Sequence, residues 1–396
     1  MENNNEIFVE TYFRSLNKYN EVLCGDKVEV RRNNDSFIVV LADGLGSGVK
    51  ANILSTLTST IISEMIFSGS TMEEVVETVS ATLPECKERG VAYSTFTIVQ
   101  VFDNGTCKLV EFDNPDTIIM RDNEALNLVK EVYKIGNRTI KEVSFEVKPN
   151  DFIIFFSDGI IHAGLGEILN LGWEHHHVVE FLKRFSRPDD SAKEINRLLL
   201  AEVNGLYGGE PKDDSTVAVL KVVEKVTSIV MVGPPSNESD DVKLVKKLMN
   251  SKGKKIVCGG TTANIVAREL SRNIVMDTLI EIQGDVPPIA YIKGIDLVTE
   301  GVITLGKVDE YLSECLKSDK YKEELLNSKA KDGAVTMVKM LLSECSEINF
   351  MVGMSDNPAH KGIAYTTISL SGKLRLIDKI AKNLIQLGKI VKIDNY

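Results

Sequence analysis

The sequence predicts an α+β chain, with a first half of antiparallel β-sheets and helices packed outside them, followed by a smaller α/β half. Three observations carry that expectation. Short strands rich in β-branched residues come in adjacent runs as far as residue 223. Helical stretches come in pairs between them. After Thr227 the pattern changes to apolar strands that end in glycine and lead into a helix or a loop. A length of 396 residues favours two domains, and the change of pattern sets the boundary at 224–227, giving 1–225 and 226–396.

In chain order, strands are expected at 37–42 (FIVVLA), 94–102 (STFTIVQVF), 107–112 (CKLVEF), 117–121 (TIIMR), 143–147 (VSFEV), 151–156 (DFIIFF) and 215–223 (STVAVLKVV). Helices are expected at 48–69, 71–85, 176–185 and 191–203, where apolar residues recur at three- and four-residue spacing. In the second half, 228–233 (SIVMVG), 254–260 (KKIVCGG) and 349–354 (NFMVGM) read as strands that exit at glycine. VMVGPPSN at 230–237 and FMVGMSDN at 350–357 echo one another, which fits either a duplication or two similar strand exits.

With 43% hydrophobic and 26% charged residues the chain can build a sizeable core. A net charge of -11 and a pI near 5.2 argue against nucleic acid and anionic membrane surfaces as partners, and favour a metal cation. The six cysteines are scattered, with no C-x-x-C pair, and read as reduced thiols of a cytoplasmic protein. Neither a secretory leader nor a long uncharged apolar window is visible, so secretion and membrane spanning are not expected.

The chemistry concentrates in acids at strand ends. Asp43 closes FIVVLAD before Gly44, Asp158-Gly159 follows DFIIFFS, Asp213 and Asp214 precede STVAVLKVV, and Asp26 precedes the next expected strand. Any one of these acids could simply cap a turn. Four together suggest carboxylates that converge and need cations to offset their repulsion. An oxygen-only donor set favours Mg2+ or Mn2+ over Zn2+. Gly44 would let the backbone turn and offer its own carbonyl to a metal, while Gly46 and Gly48 make a tight turn into a helix. The loop lacks the Gly-Lys-Ser/Thr ending of a nucleotide P-loop.

The ordered set CGD, LADGLGSG, STFTIVQVF, FDNPDTIIMR, VKPNDFIIFFSDGI and KDDSTVAVLKV, spanning about residues 20–222, resembles the metal-dependent (PPM, type 2C) serine/threonine phosphatases. The similarity points to their bacterial branch, typified by stage II sporulation protein E. It implies two antiparallel sheets sandwiched between helices, with a binuclear Mn2+ or Mg2+ site at one end. On that resemblance Asp43 bridges the metals, Gly44 offers its carbonyl, and Asp158 and Asp213 hold the second ion. Asp26 ligates a metal or orients its water, and Asp214 stands behind these ligands. A cation would lower the pKa of water toward neutrality, so no catalytic His is needed. The family's larger members carry a His after the first D-G and an upstream Arg. Leu45 follows Asp43-Gly44 here, which leaves protonation of the leaving group unassigned. Arg121 and Lys212 are candidates for substrate contact or plain surface charges, and Asn114 and Pro115 shape a turn. The resemblance further implies that the helix at 51–67 can shift and so complete or disrupt the metal site. Ordinary packing is the alternative.

In the second half, Gly259-Gly260-Thr261-Thr262 lies between a strand and a helix. Backbone N–H groups there would favour a small anion, or a Thr merely caps the helix. Asp285, Asp296, Glu300, Asp356, Asn357 and His360 are further candidates for ligand contact or for turns. Cys258 reads as a buried inert thiol in preference to a redox-active one. His175-His176-His177 tempts a metal reading, but consecutive helical side chains do not point at one centre. This half resembles a C-terminal extension found on some anaerobic bacterial members of the same branch, and that similarity supplies no activity.

The function expected is hydrolysis of phosphoserine or phosphothreonine on a phosphorylated regulatory protein by water activated on two Mn2+ or Mg2+ ions. The alternative is a catalytically silent scaffold that responds to a metal or a partner. A small anionic ligand at the C-terminal half and a second copy of the chain complete the partners it leaves open.

Overall fold

A strand buried on both faces carries an unbroken apolar run, because successive side chains enter two different cores. That is why FIVVLA and FIIFF lie inside the first sheets, each with a strand on either side. The structure, a computed structural model, describes residues 6–33, 35–82, 85–86, 91–92, 94–135, 138–276, 289–330, 332–355 and 370–396. Two compact units result, Met1–Glu224 and Lys225–Tyr396.

The first unit runs β1 (Ile7–Leu16), β2 (Asp26–Arg32), β3 (Ser36–Gly44), α1 (Gly48–Phe67), α2 (Met72–Thr82), β4 (Glu85–Cys86), β5 (Val91–Ala92), β6 (Ser94–Phe102) and β7 (Thr106–Phe112). It continues with β8 (Ile118–Arg121), β9 (Glu124–Ala125), β10 (Glu131–Ile135), β11 (Arg138–Glu146), β12 (Phe152–Phe156), α3 (Asp158–Ile161), α4 (His175–Phe185), α5 (Ala192–Leu206) and β13 (Ser215–Glu224). One antiparallel sheet has the order β1-β13-β12-β8-β9 and the other β10-β11-β7-β6-β3-β2. Their facing sides close on Val39, Leu41, Val99, Leu109, Ile153, Phe155 and Leu220. Alternate residues turn outward. Phe152, Ile154 and Phe156 meet Val178, Leu182, Ile195 and Leu199 of α4 and α5. Ile38, Val40 and Ala42 meet Ile62, Ile66, Val75 and Val79 of α1 and α2. The layers are therefore helix, sheet, sheet, helix.

α1 corrects the expectation drawn from apolar spacing. Its buried positions include Ser55, Thr58, Ser59 and Ser63, whereas Val49, Ile53 and Leu57 are exposed. The hydroxyls can be buried because each bonds a carbonyl of its own helix, as in Thr58 Oγ1 to Leu54 O at 2.8 Å.

The second unit comprises β14 (Thr227–Val232), α6 (Asp241–Met249), β15 (Lys255–Cys258), α7 (Gly260–Leu270), β16 (Val275–Met276), β17 (Ala290–Tyr291), β18 (Leu297–Thr299) and α8 (Val302–Lys317). After these come α9 (Asp319–Asn327), α10 (Gly333–Ser343), β19 (Glu347–Val352), α11 (Leu370–Gln386) and β20 (Ile390–Asn395). Its sheet has the order β16-β17-β18-β15-β14-β19-β20, and the strands from β18 to β20 run parallel. α6 and α7 cover one face, while α8, α10 and α11 cover the other. This is a doubly wound α/β layer whose order reverses between β14 and β19. The two echoing segments are neighbours there, with Val230 opposite Phe350 and Val232 opposite Val352. Among the described residues no helix is long and apolar enough to cross a membrane.

Candidate metal centre

The two sheets of the first unit bring the strand-end acids to one edge. Antiparallel pairing of β2 with β3 sets Asp26 directly across from Asp43. In the other sheet, β12 ends where β13 begins, with Phe156 opposite Val217, so Asp158 emerges beside Asp213 and Asp214. Ser157 then joins the sheets: its Oγ donates to Asp26 Oδ2 at 2.7 Å and accepts the Thr216 N–H at 2.9 Å. In the sequence Ser157 is an ordinary polar residue, and only the meeting of the two sheets gives it this role.

Glycines permit these approaches. A Cβ on Gly44 would stand 2.1 Å from the Ala51 carbonyl oxygen, and one on Gly159 would stand 2.1 Å from the Asp214 oxygen. Gly44 is needed because the first turn of α1 crosses β3 there, a close approach that a Cβ would block. Gly44 is itself the last residue of β3.

Charge accumulates at this edge. Asp26 is 5% exposed, and its Oδ1 is buried with no hydrogen-bond partner. Burial, opposed by hydrogen bonds from Ser157 and Thr216, pushes its carboxyl up to about 7. Asp43 is held well above the carboxylate range by burial and by Asp26, Asp158 and Asp213. Burial and Asp158 also raise Asp213. Cys24 nearby is pushed up to about 12 by burial and then by Asp26 and Asp214. Asp158 stays open, with a side chain 45% exposed. An orphaned, buried carboxylate oxygen amid mutually repelling acids fits a divalent-cation site made of hard oxygen donors. Asp214 differs: its two oxygens accept the Lys18 N–H at 3.0 Å and the Gly25 N–H at 2.8 Å. It therefore fixes the turn that leads into Asp26.

The SpoIIE family model, stage II sporulation protein E, matches residues 33–223. The curated stage II sporulation protein E of Bacillus subtilis (strain 168) is 24% identical over 190 residues, covering 47% of this chain and 22% of that protein. The chain thus spans about a fifth of that relative's length. Among solved structures, the PP2C phosphatase domain with a regulatory-domain fragment of SpoIIE from Bacillus subtilis aligns with a TM-score of 0.48 at 21% identity, covering 55% of this chain and 63% of that one. RsbX in complex with magnesium aligns with a TM-score of 0.39 at 18% identity, covering 54% and 95%.

Within the first unit, Arg121 is not free for substrate. Its Nε and Nη2 grip the buried Asp151 carboxylate at 2.8 and 2.6 Å, a bidentate clamp between β8 and the start of β12. Lys212 pairs with Glu167 at 2.6 Å on the surface. Asn114 is buried and bonds Thr95 and Thr97, which holds the 112–117 turn against β6. The three histidines also need correction. His175 Nε2 meets the Asp116 carbonyl at 2.8 Å, but donor atoms of Glu174, His176 and His177 lie within 4.8 Å of one another. Glu174 is the N-cap, outside helical geometry, so the directions of a regular helix do not apply to it.

In the second unit, Gly259 is the N-cap of α7 at φ 107° with no side-chain cap bond. Thr262 is buried and accepts the Gly233 N–H at 3.0 Å, tying α7 to the exit of β14. Gly260 and Thr261 open the helix. Cys258 is 1% exposed, and burial pushes its thiol up to about 12, as expected of an inert one. Asp296 accepts the Lys255 N–H at 2.9 Å, a turn role. Glu300 follows β18. Asp285, Asp356, Asn357 and His360 lie outside the described residues.

A pH dependence follows from Asp26. In the cation-free chain its folded-state carboxyl titrates at about 7 against an ordinary 3.8. The folded state therefore binds the extra proton, and the stability it brings is complete below about pH 4 and lost as pH rises through 7. With chelator present, the melting temperature of the first unit is expected to fall between pH 5 and pH 8. Mn2+ is expected to flatten that profile, and an unaltered profile would count against a cation at these acids.

Proposed function

We propose that the first unit hydrolyses phosphoserine or phosphothreonine on a partner protein, using two Mn2+ or Mg2+ ions held by Asp26, Asp43, Asp158, Asp213 and the Gly44 carbonyl. The observation that supports this reading is a buried, unpartnered Asp26 oxygen next to Asp43, which in turn faces Asp158 and Asp213. Bound there, the cations would supply an activated water and the positive charge that a phosphoryl group needs. Asp43 feels the charges of acids in both sheets and would share in holding the cations. Asp26, fixed by Ser157 and backed by the Asp214 turn, holds one ion or orients the water. Asp158 and Asp213 hold the other, and the exposed Asp158 side faces incoming substrate. Lys212, adjoining Asp213 and exposed, is the nearest cation for substrate in sequence.

The test is hydrolysis of an aryl phosphate and of a phosphoserine peptide by the purified chain with Mn2+ or with chelator. Turnover with Mn2+ and none with chelator is expected. Tight Mn2+ binding without turnover on either substrate would favour the alternative, a scaffold that responds to metal or partner.

For the second unit we infer a sensing role for a small anion near Gly259, Gly260, Thr261 and Thr262. Its support is the start of α7 at the carboxyl edge of a parallel sheet, one strand from the point where the order reverses. Inorganic phosphate is expected to bind measurably by calorimetry and to lose that binding in Gly260→Asp. Equal heats from both proteins would discard the site.

A further inference from the structure

His162 stands one helical turn beyond Asp158, and its Nδ1 lies 3.8 Å from Asp158 Oδ2. That separation exceeds a hydrogen bond. It suits two donors on one cation. With metal–donor bonds of about 2.1 Å, ligands of one ion lie between roughly 3.0 Å apart at right angles and roughly 4.2 Å apart in opposite positions. We propose that His162 is an additional, nitrogen ligand of the ion held by Asp158, and that it biases this centre toward Mn2+ and related transition metals over Mg2+. The inference rests on the metal-centre reading above and adds to it the chemical class of the ion.

The local fold fixes the backbone that carries the ring. α3 is a single short helix, so Asp158 and His162 lie on one face four residues apart. The His162 carbonyl accepts the Leu165 N–H at 3.1 Å, and the His162 N–H donates to the Asp158 carbonyl at 3.1 Å. Gly172, at φ 83°, packs so closely that a Cβ there would be 3.1 Å from the His162 Cα. About half of each side chain remains exposed, 48% for His162 and 45% for Asp158, so an ion and its waters have access. Mg2+ prefers oxygen ligands and keeps its waters, whereas imidazole suits the later divalent metals. The centre would otherwise consist of oxygen donors alone, so one imidazole changes its preference.

The experiment uses the full chain carrying His176→Ala and His177→Ala, so that the exposed Glu174 group supplies no imidazole. Bound Mn2+ is examined by pulsed electron paramagnetic resonance for 14N modulation, and Mn2+ and Mg2+ affinities are measured by calorimetry, each with and without His162→Gln. Nitrogen modulation is expected in the parent and absent in His162→Gln. Mn2+ affinity is expected to fall by roughly tenfold or more while Mg2+ affinity changes little. No 14N modulation in the parent, or equal effects of His162→Gln on both metals, overturns the proposal. Asp43→Asn measured alongside separates the failures. If it leaves Mn2+ binding intact, the metal-centre reading itself fails. If it abolishes binding while His162→Gln is inert, only the role of His162 is lost.

Discussion

Asp43→Asn is expected to remove Mn2+-dependent hydrolysis while leaving the fold in place. The substitution keeps the size of the side chain and leaves the backbone pairing with Asp26 across the β2–β3 ladder untouched. What it removes is the charge that faces Asp26, Asp158 and Asp213 together. Loss of a partner behind a metal ligand typically costs 10- to 100-fold, so loss of the ligand that faces all the others is expected to exceed about 100-fold in kcat/KM. In chelator the variant should melt no lower than the parent, because one of the mutually repelling carboxyls is gone. With Mn2+ present, the rise in melting temperature seen for the parent should be absent. Turnover within tenfold of the parent would show that Asp43 holds no metal needed for the reaction.

Gly44→Ala is expected to damage stability and site together. The new methyl would meet the Ala51 carbonyl oxygen at 2.1 Å and its carbon at 2.7 Å, and backbone atoms on both sides leave no flexible side chain to yield. Overpacking of this kind costs about 1–3 kcal/mol, which for a unit of this size lowers the melting temperature by roughly 2–12 °C. Because β3 must back away from α1, Asp43 moves too, and Mn2+ affinity should fall along with stability. Gly205→Ala supplies the contrast. Gly205 is exposed in α5 with nothing within 4 Å of a Cβ, and alanine there should raise stability by about 0.5–1 kcal/mol. Thermal melts of the two variants beside the parent decide it, and an unshifted Gly44→Ala would refute the packing account.

Which parts of this molecule can be read from its sequence follows from how each residue is buried. β3 and β12 are apolar on both sides and show as plain runs. β1 forms the edge of its sheet with a mixed face, and β20 is rich in charge, so neither rises above the background of the sequence. α1 misleads because hydroxyls that satisfy themselves on their own helix can be buried while Val49, Ile53 and Leu57 face out. The order of the parallel sheet is invisible locally, since β14 meets β19 only through a pairing of residues 120 positions apart, Thr227 with Glu347. At the centre, the acids that end strands are legible because each interrupts an apolar run next to glycine. Ser157 and His162 are ordinary polar residues in the sequence, and only the meeting of two sheets and one turn of helix brings them to Asp26 and Asp158.

The pairing of β1 with β13, from Ile7 opposite Glu224 to Leu16 opposite Ser215, sets a timetable for the chain in the cell. Once synthesised, β1 finds its neighbour only after about 200 further residues, roughly 10–40 s at ordinary rates of synthesis. Asp26 likewise waits for Asp213 and Asp214, which are made just before that closing strand. The candidate centre is thus completed by the last segment of its own unit. A nascent or truncated chain would have sheets and helices forming but no finished set of ligands, and so no premature activity. Long-range closure of this kind also makes folding slow, which leaves β13's partner edge exposed for as long as β1 is undocked.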